Sequence, residues 1–128
     1  MADYKSAYSD ISKDYIKNTV PSNSVDQNRY NRSKAREAKY NDTWMNQKVN
    51  LNKIVDKFVP SVESFVEQHS EGVVKYDFEG EHYIVKCDKV AGYLRIWDKQ
   101  AKSYCLLDGT PIKNNSLTHF KIKRREEM

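Results

Sequence analysis

The chain has 128 residues, which is the size of one ordinary domain and too short for two independent cores. It is polar, with 38% hydrophobic and 31% charged residues and a mean hydropathy of -0.88, but an aromatic content of 12% argues against wholesale disorder. The net charge of +4 tolerates a polyanionic partner without requiring one. No apolar run is long enough to span a bilayer and no signal-peptide pattern opens the chain, so we expect no membrane association and a cytoplasmic starting point.

Residues 1–50 form a polar segment that we expect to be helical or partly ordered. Apolar side chains recur there at helical spacing, at Tyr4, Tyr8, Ile11 and Tyr15, which favours a first helix. Residues 26–41 are almost wholly polar and are either a second helix or a solvated arm. Their basic side chains are more often a solvated helix face than a tRNA contact; they are Arg29, Arg32, Lys34, Arg36 and Lys39.

Residues 51–128 are the expected α+β core. The best helical stripe of the sequence opens it, at Leu51, Ile54, Val55, Phe58 and Val59. Pro60 should end that helix. Ser61 is placed to cap a second short helix that contains Val62, Phe65 and Val66 and closes at Gly72.

After Gly72 the apolar period changes to two, which predicts about five short strands in a mostly antiparallel sheet with the helices packed on one face. These strands are Val73–Phe78, His82–Cys87, Tyr93–Trp97, Ser103–Leu107 and Leu117–Lys123. Glu79-Gly80 should form a two-residue turn. The two cysteines, Cys87 and Cys105, have no metal-binding spacing, and two buried free thiols are favoured over a disulfide.

Alternation along the predicted strands sorts the side chains of the last third of the chain by face. If Leu94, Ile96, Phe120 and Ile122 form the core, the opposite face collects Tyr93, Arg95, Trp97, His119, Lys121 and Lys123. A face that combines Lys and Arg side chains with exposed aromatic rings is suited to binding RNA, because phosphates bind Lys and Arg while unstacked bases stack on aromatic rings. Such a face is more often simply the solvated side of a sheet, and that interpretation stays open.

The same face suits RNA cleavage without a metal. His119 can serve as general acid or base, with Arg95 and Lys121 stabilising the negative charge of the transition state. His69 or His82 could act as a second proton-transfer group, although a solvated or cross-strand role fits each better. Thr118 is either a core-facing residue or a contact to phosphate.

From Gly92 onward the chain reads Gly-Tyr-Leu-Arg-Ile-Trp-Asp, then Ser-Tyr-Cys-Leu-Leu-Asp-Gly-Thr-Pro, then Ser-Leu-Thr-His-Phe-Lys-Ile-Lys-Arg-Arg. This resembles the C-terminal end of the barnase/EndoU/colicin/RelE-like ribonuclease toxin domains of bacterial polymorphic or phage-associated toxins. Their closing strand often has a Thr followed by an aromatic residue and a Lys, as Thr118, Phe120 and Lys121 are here. Relatives often carry a catalytic His on an N-terminal helix, where this chain offers only His69.

The resemblance implies N-terminal helices on a curved sheet and metal-independent cleavage of tRNA or other RNA, with no cofactor. It also implies a cognate immunity or inhibitor protein, and action in the cytoplasm of the producer or of a target bacterium. Carried over by residue, it favours Arg95, Thr118, His119 and Lys121 as catalytic, beside Tyr93, Trp97 and Lys123 as substrate contacts. The alternative function is a non-catalytic RNA- or protein-binding module, with a phage accessory protein among its forms.

Overall fold

The computed structural model describes residues 47–70, 73–89 and 92–123, together with residues 31, 32, 35, 38 and 39, which have helical backbone. The first helix predicted at Tyr4–Tyr15, most of the polar segment 1–50 and the predicted helix end at Gly72 lie outside the described residues. The first helix predicted within residues 1–50 is therefore neither confirmed nor contradicted.

Helix α1 runs from Leu51 to Phe58, and its buried side chains are those of the predicted stripe, Leu51, Ile54, Val55 and Phe58. The helix begins at Asn50, whose side-chain oxygen accepts a hydrogen bond from the backbone N–H of Lys53 at 3.3 Å. It ends before Pro60, which cannot donate the next helical hydrogen bond. The prediction of this helix is confirmed.

The rest of the described chain builds a six-stranded sheet in which five strands follow one another in chain order. The strands are β1 (Ser64–Ser70), β2 (Val73–Glu79), β3 (Tyr83–Asp88), β4 (Tyr93–Asp98), β5 (Ser103–Tyr104) and β6 (Phe120–Lys121). Every strand pair is antiparallel. The α+β class and the mostly antiparallel sheet are thus confirmed.

Strand β4 is the organising strand of the C-terminal half, because it pairs with three neighbours. Its whole length pairs with β3, its last residues pair with β5, and its first residues, Tyr93 and Leu94, pair with β6. On the far side of β6, Val49 forms a parallel bridge to Ile122, donating its N–H to the carbonyl of Lys121 and accepting from the N–H of Lys123. The segment before α1 therefore covers the outer edge of β6.

The short helix predicted after Pro60 is wrong, since Ser64–Ser70 is a strand that pairs along its full length with β2. Val62, Phe65 and Val66 are spaced as in a helix, but three apolar residues are too few to separate the two periods. Tertiary packing decides between them: the Phe65 ring stacks 5.6 Å from that of Tyr76 and lies 5.1 Å from that of Phe78. Val66 points the other way and is 41% exposed.

Three predicted boundaries also change. The connection from β2 to β3 takes Gly80, Glu81 and His82 rather than a two-residue turn, and β5 is shorter than the predicted Ser103–Leu107. The predicted final strand Leu117–Lys123 is reduced to Phe120 and Lys121, because the carboxamide oxygen of Asn114 accepts from the N–H of Leu117 at 3.2 Å and holds residues 115–117 in a turn.

The core lies between α1 and one face of the sheet. Side chains of α1 pack there with those of the central strands, among them Phe78, Val85, Leu94, Ile96 and Phe120. Both cysteines, Cys87 and Cys105, are buried free thiols, as predicted. In the described part of the chain, no helix is long and apolar enough to cross a membrane.

Candidate active site

The outer face of the sheet, meaning the face turned away from α1, carries charged side chains in register across neighbouring strands. Asp77 of β2 lies directly opposite Lys86 of β3, and Lys86 lies directly opposite Arg95 of β4. Adjacent strands are about 4.8 Å apart, so this row sets Asp77 and Arg95 roughly 10 Å from each other. A parallel row joins Lys75, Asp88, Tyr93 and Lys121.

Apart from Lys121, the residues of the two rows line a groove of about 290 Å³, here called the outer groove. Its lining residues with a charged side chain or an imidazole are Lys75, Asp77, Lys86, Asp88, Arg95 and His119, and its other lining residues are Gln68, Cys87, Tyr93 and Tyr104. The groove thus holds carboxylates, cations and an imidazole in one concave surface. That is the set of groups that proton transfer beside an anionic substrate requires.

The surroundings of Asp77 change the pKa of its carboxyl group. Burial raises the pKa of the Asp77 carboxyl above its ordinary value, while the neighbouring Lys86 and Lys75 ammonium groups lower it and Glu79 raises it. Desolvation is the largest of these effects, so the proton is held more tightly than on an exposed aspartate. A raised pKa makes Asp77 a stronger base once it is ionised.

His119 is buried, with 4% of its surface exposed, and it enters the groove from the loop before β6. Its Nδ1 lies within hydrogen-bonding distance of the backbone carbonyl oxygen of Asn115. A carbonyl only accepts, so Nδ1 carries a proton and donates, which leaves Nε2 as the lone-pair nitrogen of the neutral ring. The Tyr93 ring, with its centroid 4.8 Å from that of His119, packs against the imidazole.

Arg95 connects the sheet to that loop. Its Nη2 donates to the Thr118 hydroxyl at 3.1 Å and to the Asn115 side-chain oxygen at 3.3 Å, and its guanidinium lies over the Tyr104 ring. The Thr118 hydroxyl in turn donates to the carbonyl of Asn114 at 2.8 Å. Asn115 therefore contacts Arg95 through its side chain and His119 through its backbone carbonyl.

The structure places the predicted site residues unequally. The outer groove brings Arg95, His119 and Tyr93 together, whereas Thr118 is fully buried and engaged by the Arg95 and Asn114 contacts described above. The expectation of a solvated face is wrong for two residues, because only 4% of His119 and 7% of Lys121 is exposed. Their burial follows from the docking of the loop and of Val49 around β6.

The remaining predicted residues lie outside the outer groove. Lys121 is opposite Tyr93 in β6, Lys123 follows that strand and is half-buried, and Trp97 lies beyond Arg95 along β4. Among the candidate second proton-transfer groups, His69 is on β1 beside Glu67 at 3.5 Å. Their catalytic and binding roles stay predictions.

His82 belongs to a different cluster, at the end of the sheet. Its Nε2 is 3.0 Å from a carboxylate oxygen of Asp98, and its ring stacks 4.1 Å from the ring of Tyr83. Hydrogen bonds from the backbone of Ala101 and Gln100, with help from His82, hold the pKa of Asp98 below its usual range against the opposing effect of burial. Asp98 thereby anchors the turn between β4 and β5, which is a structural task.

Sequence reasoning missed four charged residues of the outer groove, Lys75, Asp77, Lys86 and Asp88, and the Tyr104 ring. The signal was present, because alternation along the predicted strand Val73–Phe78 puts Lys75 and Asp77 on the face opposite Tyr76 and Phe78. What the pattern lacked was the cross-strand register that brings Lys86 opposite Asp77.

Among the described residues, no three or more His, Cys, Asp or Glu side chains are grouped so that they could hold a metal ion. No family model matches the chain, and no curated protein and no solved structure matches it either. The function is therefore argued from the groove itself.

Proposed function

We propose that the protein is a metal-independent endoribonuclease and that the outer groove is its active site. One observation carries the proposal: Asp77, with a raised pKa, and His119, with its tautomer fixed by Asn115, line the same groove as Lys75, Lys86 and Arg95. A basic carboxylate, an imidazole and cations are the groups that cleavage through the ribose 2′-hydroxyl needs.

In the proposed reaction, ionised Asp77 accepts the proton of the 2′-hydroxyl while the 2′ oxygen attacks the adjacent phosphorus. The bond from phosphorus to the 5′ oxygen breaks, and His119, which enters the reaction as the imidazolium with both ring nitrogens protonated, gives its Nε2 proton to that leaving oxygen. The products are a 2′,3′-cyclic phosphate and a 5′-hydroxyl. Afterwards Asp77 loses its proton to water and His119 regains one, so the protein is restored without any further reactant.

Lys86 is the cation best placed to stabilise the phosphorane, because it stands between Asp77 and Arg95 in the cross-strand row. Arg95 positions the His119 loop through Asn115, and this contact gives it a role distinct from direct phosphate binding. Three cations face two carboxylates in the groove, so its charge surplus is small. We therefore expect positioning and proton transfer to contribute more than bulk electrostatic attraction.

The sequence resemblance to ribonuclease toxin domains supports the same proposal and adds partners to it. RNA, with tRNA as the first candidate, is the proposed substrate in the bacterial cytoplasm. A cognate inhibitor protein that covers the outer groove is the proposed partner. Such a protein would have to match a surface in which cations and carboxylates alternate, and not a uniformly basic patch.

Inducible expression in bacteria tests the proposal in cells. We expect wild-type protein to arrest growth and to produce RNA fragments on a denaturing gel, and Asp77→Asn to do neither. Asp56→Asn is the matched control, because Asp56 is exposed on α1, on the other side of the sheet. Intact RNA in cells that accumulate folded wild-type protein would contradict the proposal and favour a non-catalytic RNA- or protein-binding module.

A further inference from the structure

A second groove of about 320 Å³ adjoins the outer groove and shares Arg95 and Tyr104 with it. Its other lining residues come from the β4–β5 hairpin and the loop that follows, and include Trp97, Lys102, Lys113, Asn114 and Asn115. The Arg95 guanidinium, lying over the Tyr104 ring, forms the wall between the two spaces. The two grooves are therefore neighbours that share Arg95 and Tyr104.

The charge of the second groove differs from that of the outer groove. Lys102, Lys113 and Arg95 line it, and none of the described residues in its wall is acidic. Lys102 and Lys113 are exposed, so their ammonium groups are presented to solvent. The outer groove balances its cations with Asp77 and Asp88, whereas the second groove does not, which makes it the more favourable place for phosphate.

The second groove also offers an aromatic surface. Trp97 is half-buried and meets Tyr104 edge to face, with ring centroids 4.9 Å apart and planes at 71°. Tyr104 has the Arg95 guanidinium on one side. Aromatic side chains beside cations are the usual platform for an unpaired base and its phosphate, because stacking needs no particular base and the cations track the backbone.

Local turns fix these side chains in place. The carboxylate of Asp98 accepts hydrogen bonds from the N–H groups of Gln100 and Ala101 at 2.9 and 3.0 Å, and the turn ends at Lys102 with a positive φ of 50°. On the other side, Asn114 accepts from Leu117 and Ser116. Lys102 therefore projects from an anchored turn, and Lys113 lies between Asn114 and Ile112, whose N–H donates to the carbonyl of Tyr104 at 3.0 Å.

We propose that the second groove binds a nucleotide of single-stranded RNA next to the scissile phosphate, with its base on Trp97 and its phosphate held by Lys102 and Lys113. The inference rests on the proposed function only in placing this nucleotide next to the phosphate that is cut. Binding of the nucleotide in the second groove does not depend on cleavage. The inference assigns the substrate class as a single strand that spans both grooves, because a duplex would keep its bases stacked away from Trp97.

The test uses a labelled short 2′-O-methyl oligoribonucleotide, which lacks the attacking hydroxyl and is bound without being cut. Fluorescence anisotropy over a series of salt concentrations gives its affinity and the salt dependence. For the double variant Lys102→Ala/Lys113→Ala we expect weaker binding and a slope of log affinity against log salt that is smaller by about 0.7 per lysine. Trp97→Leu should weaken binding about tenfold through lost stacking.

Lys53→Ala is the matched control, since Lys53 is exposed on α1 and its removal should leave both affinity and slope unchanged. Circular dichroism confirms that each variant is folded. Wild-type affinity and slope in folded double and Trp97→Leu variants would overturn the inference, even if RNA cleavage is normal. Weakened binding in these variants, together with a wild-type protein that cuts no RNA, would support the inference and overturn the proposed function instead.

Discussion

The guanidinium carbon of Arg95 lies 3.4 Å from the centroid of the Tyr104 ring, and its Nη2 donates to both Thr118 and Asn115. One side chain of β4 thus joins β5 to the loop that precedes β6. The backbone carbonyl of Asn115 also holds His119, so the same loop residue contacts both Arg95 and the imidazole. The same contact separates the outer groove from the second groove.

Arg95→Lys should destabilise the protein by about 1–3 kcal/mol, because a lysine cannot reproduce the paired donors or the planar stacking of the guanidinium. Urea denaturation measures the change in the free energy of unfolding. Lys113→Ala removes an exposed cation from the neighbouring loop and should stay within about 0.5 kcal/mol of the wild type. Equal stability of Arg95→Lys and wild type would show that Arg95 does not organise the loop.

The fall of the cleavage rate at acidic pH should reflect the protonation of Asp77. Since burial raises the pKa of this carboxyl above its ordinary value of 3.8, the rate should begin to fall at a pH above that value as Asp77 becomes protonated. A pH profile of kcat/KM measures this acid limb. Asp77→Asn should lower the rate at every pH, and an acid limb that persists in this variant would assign the titration to another group.

The same raised pKa has a consequence for stability. A carboxyl whose pKa is higher in the folded chain stabilises the fold most below its unfolded pKa, here 3.8, and loses that contribution as the pH rises through the folded value. Asp77→Asn does not titrate, so its stability relative to the wild type should increase with pH across that range. Urea denaturation of both proteins at a series of pH values checks the direction.

The contribution of Asp98 to stability should depend on pH in the opposite direction. Its pKa is lowered, chiefly by the hydrogen bond from the backbone of Ala101, so its stabilising contribution is present above 3.8 and is lost as the pH falls through the lower folded value. At neutral pH, Asp98→Ala should cost about 1–3 kcal/mol, since it leaves the N–H groups of Gln100 and Ala101 without the carboxylate that accepts from them. The cost should shrink on acidification. Asp108→Ala removes a similar but exposed turn contact, to Thr110, and should cost less.

The two cysteines should be unreactive in the folded protein. Burial raises the pKa of Cys105 to about 11 and that of Cys87 well above 9.0, so neither forms much thiolate near neutrality. With Ellman's reagent at about pH 8, we expect slow modification of the native protein and rapid modification in denaturant. Immediate reaction of a thiol without denaturant would contradict the burial of that cysteine.

The parts of the fold that the sequence predicts are those in which one face of an element is buried and the other is not. Leu51, Ile54, Val55 and Phe58 repeat at helical spacing because only one side of α1 meets the core. The alternation around Leu94 and Ile96 works for the same reason in β4. Alternation does not identify strand β1, because Phe65 is the one residue of this strand that turns inward, and a single inward apolar residue cannot show whether the spacing is that of a helix or of a strand.

The candidate site was only half predictable, because its properties come from contacts between distant residues. Alternation places Arg95 and His119 on a common face, but it does not show that Asn115 and Thr118 join them. The raised pKa of Asp77 comes from burial under its neighbours in the sheet, which no local pattern contains. The burial of Lys121 likewise depends on tertiary contacts, among them the pairing of Val49 with the outer edge of its strand.

The most direct test of the ribonuclease assignment is a labelled oligodeoxynucleotide with a single ribonucleotide, incubated with purified protein in EDTA. Only the phosphate after that ribonucleotide has a neighbouring 2′-hydroxyl, so we expect one cut, at that position, with a 2′,3′-cyclic phosphate and a 5′-hydroxyl at the new ends. Asp77→Asn should leave the strand whole, while Asp56→Asn should cut as the wild type does. An uncut strand with folded wild-type protein, or cuts at deoxyribonucleotides as well, would contradict the assignment.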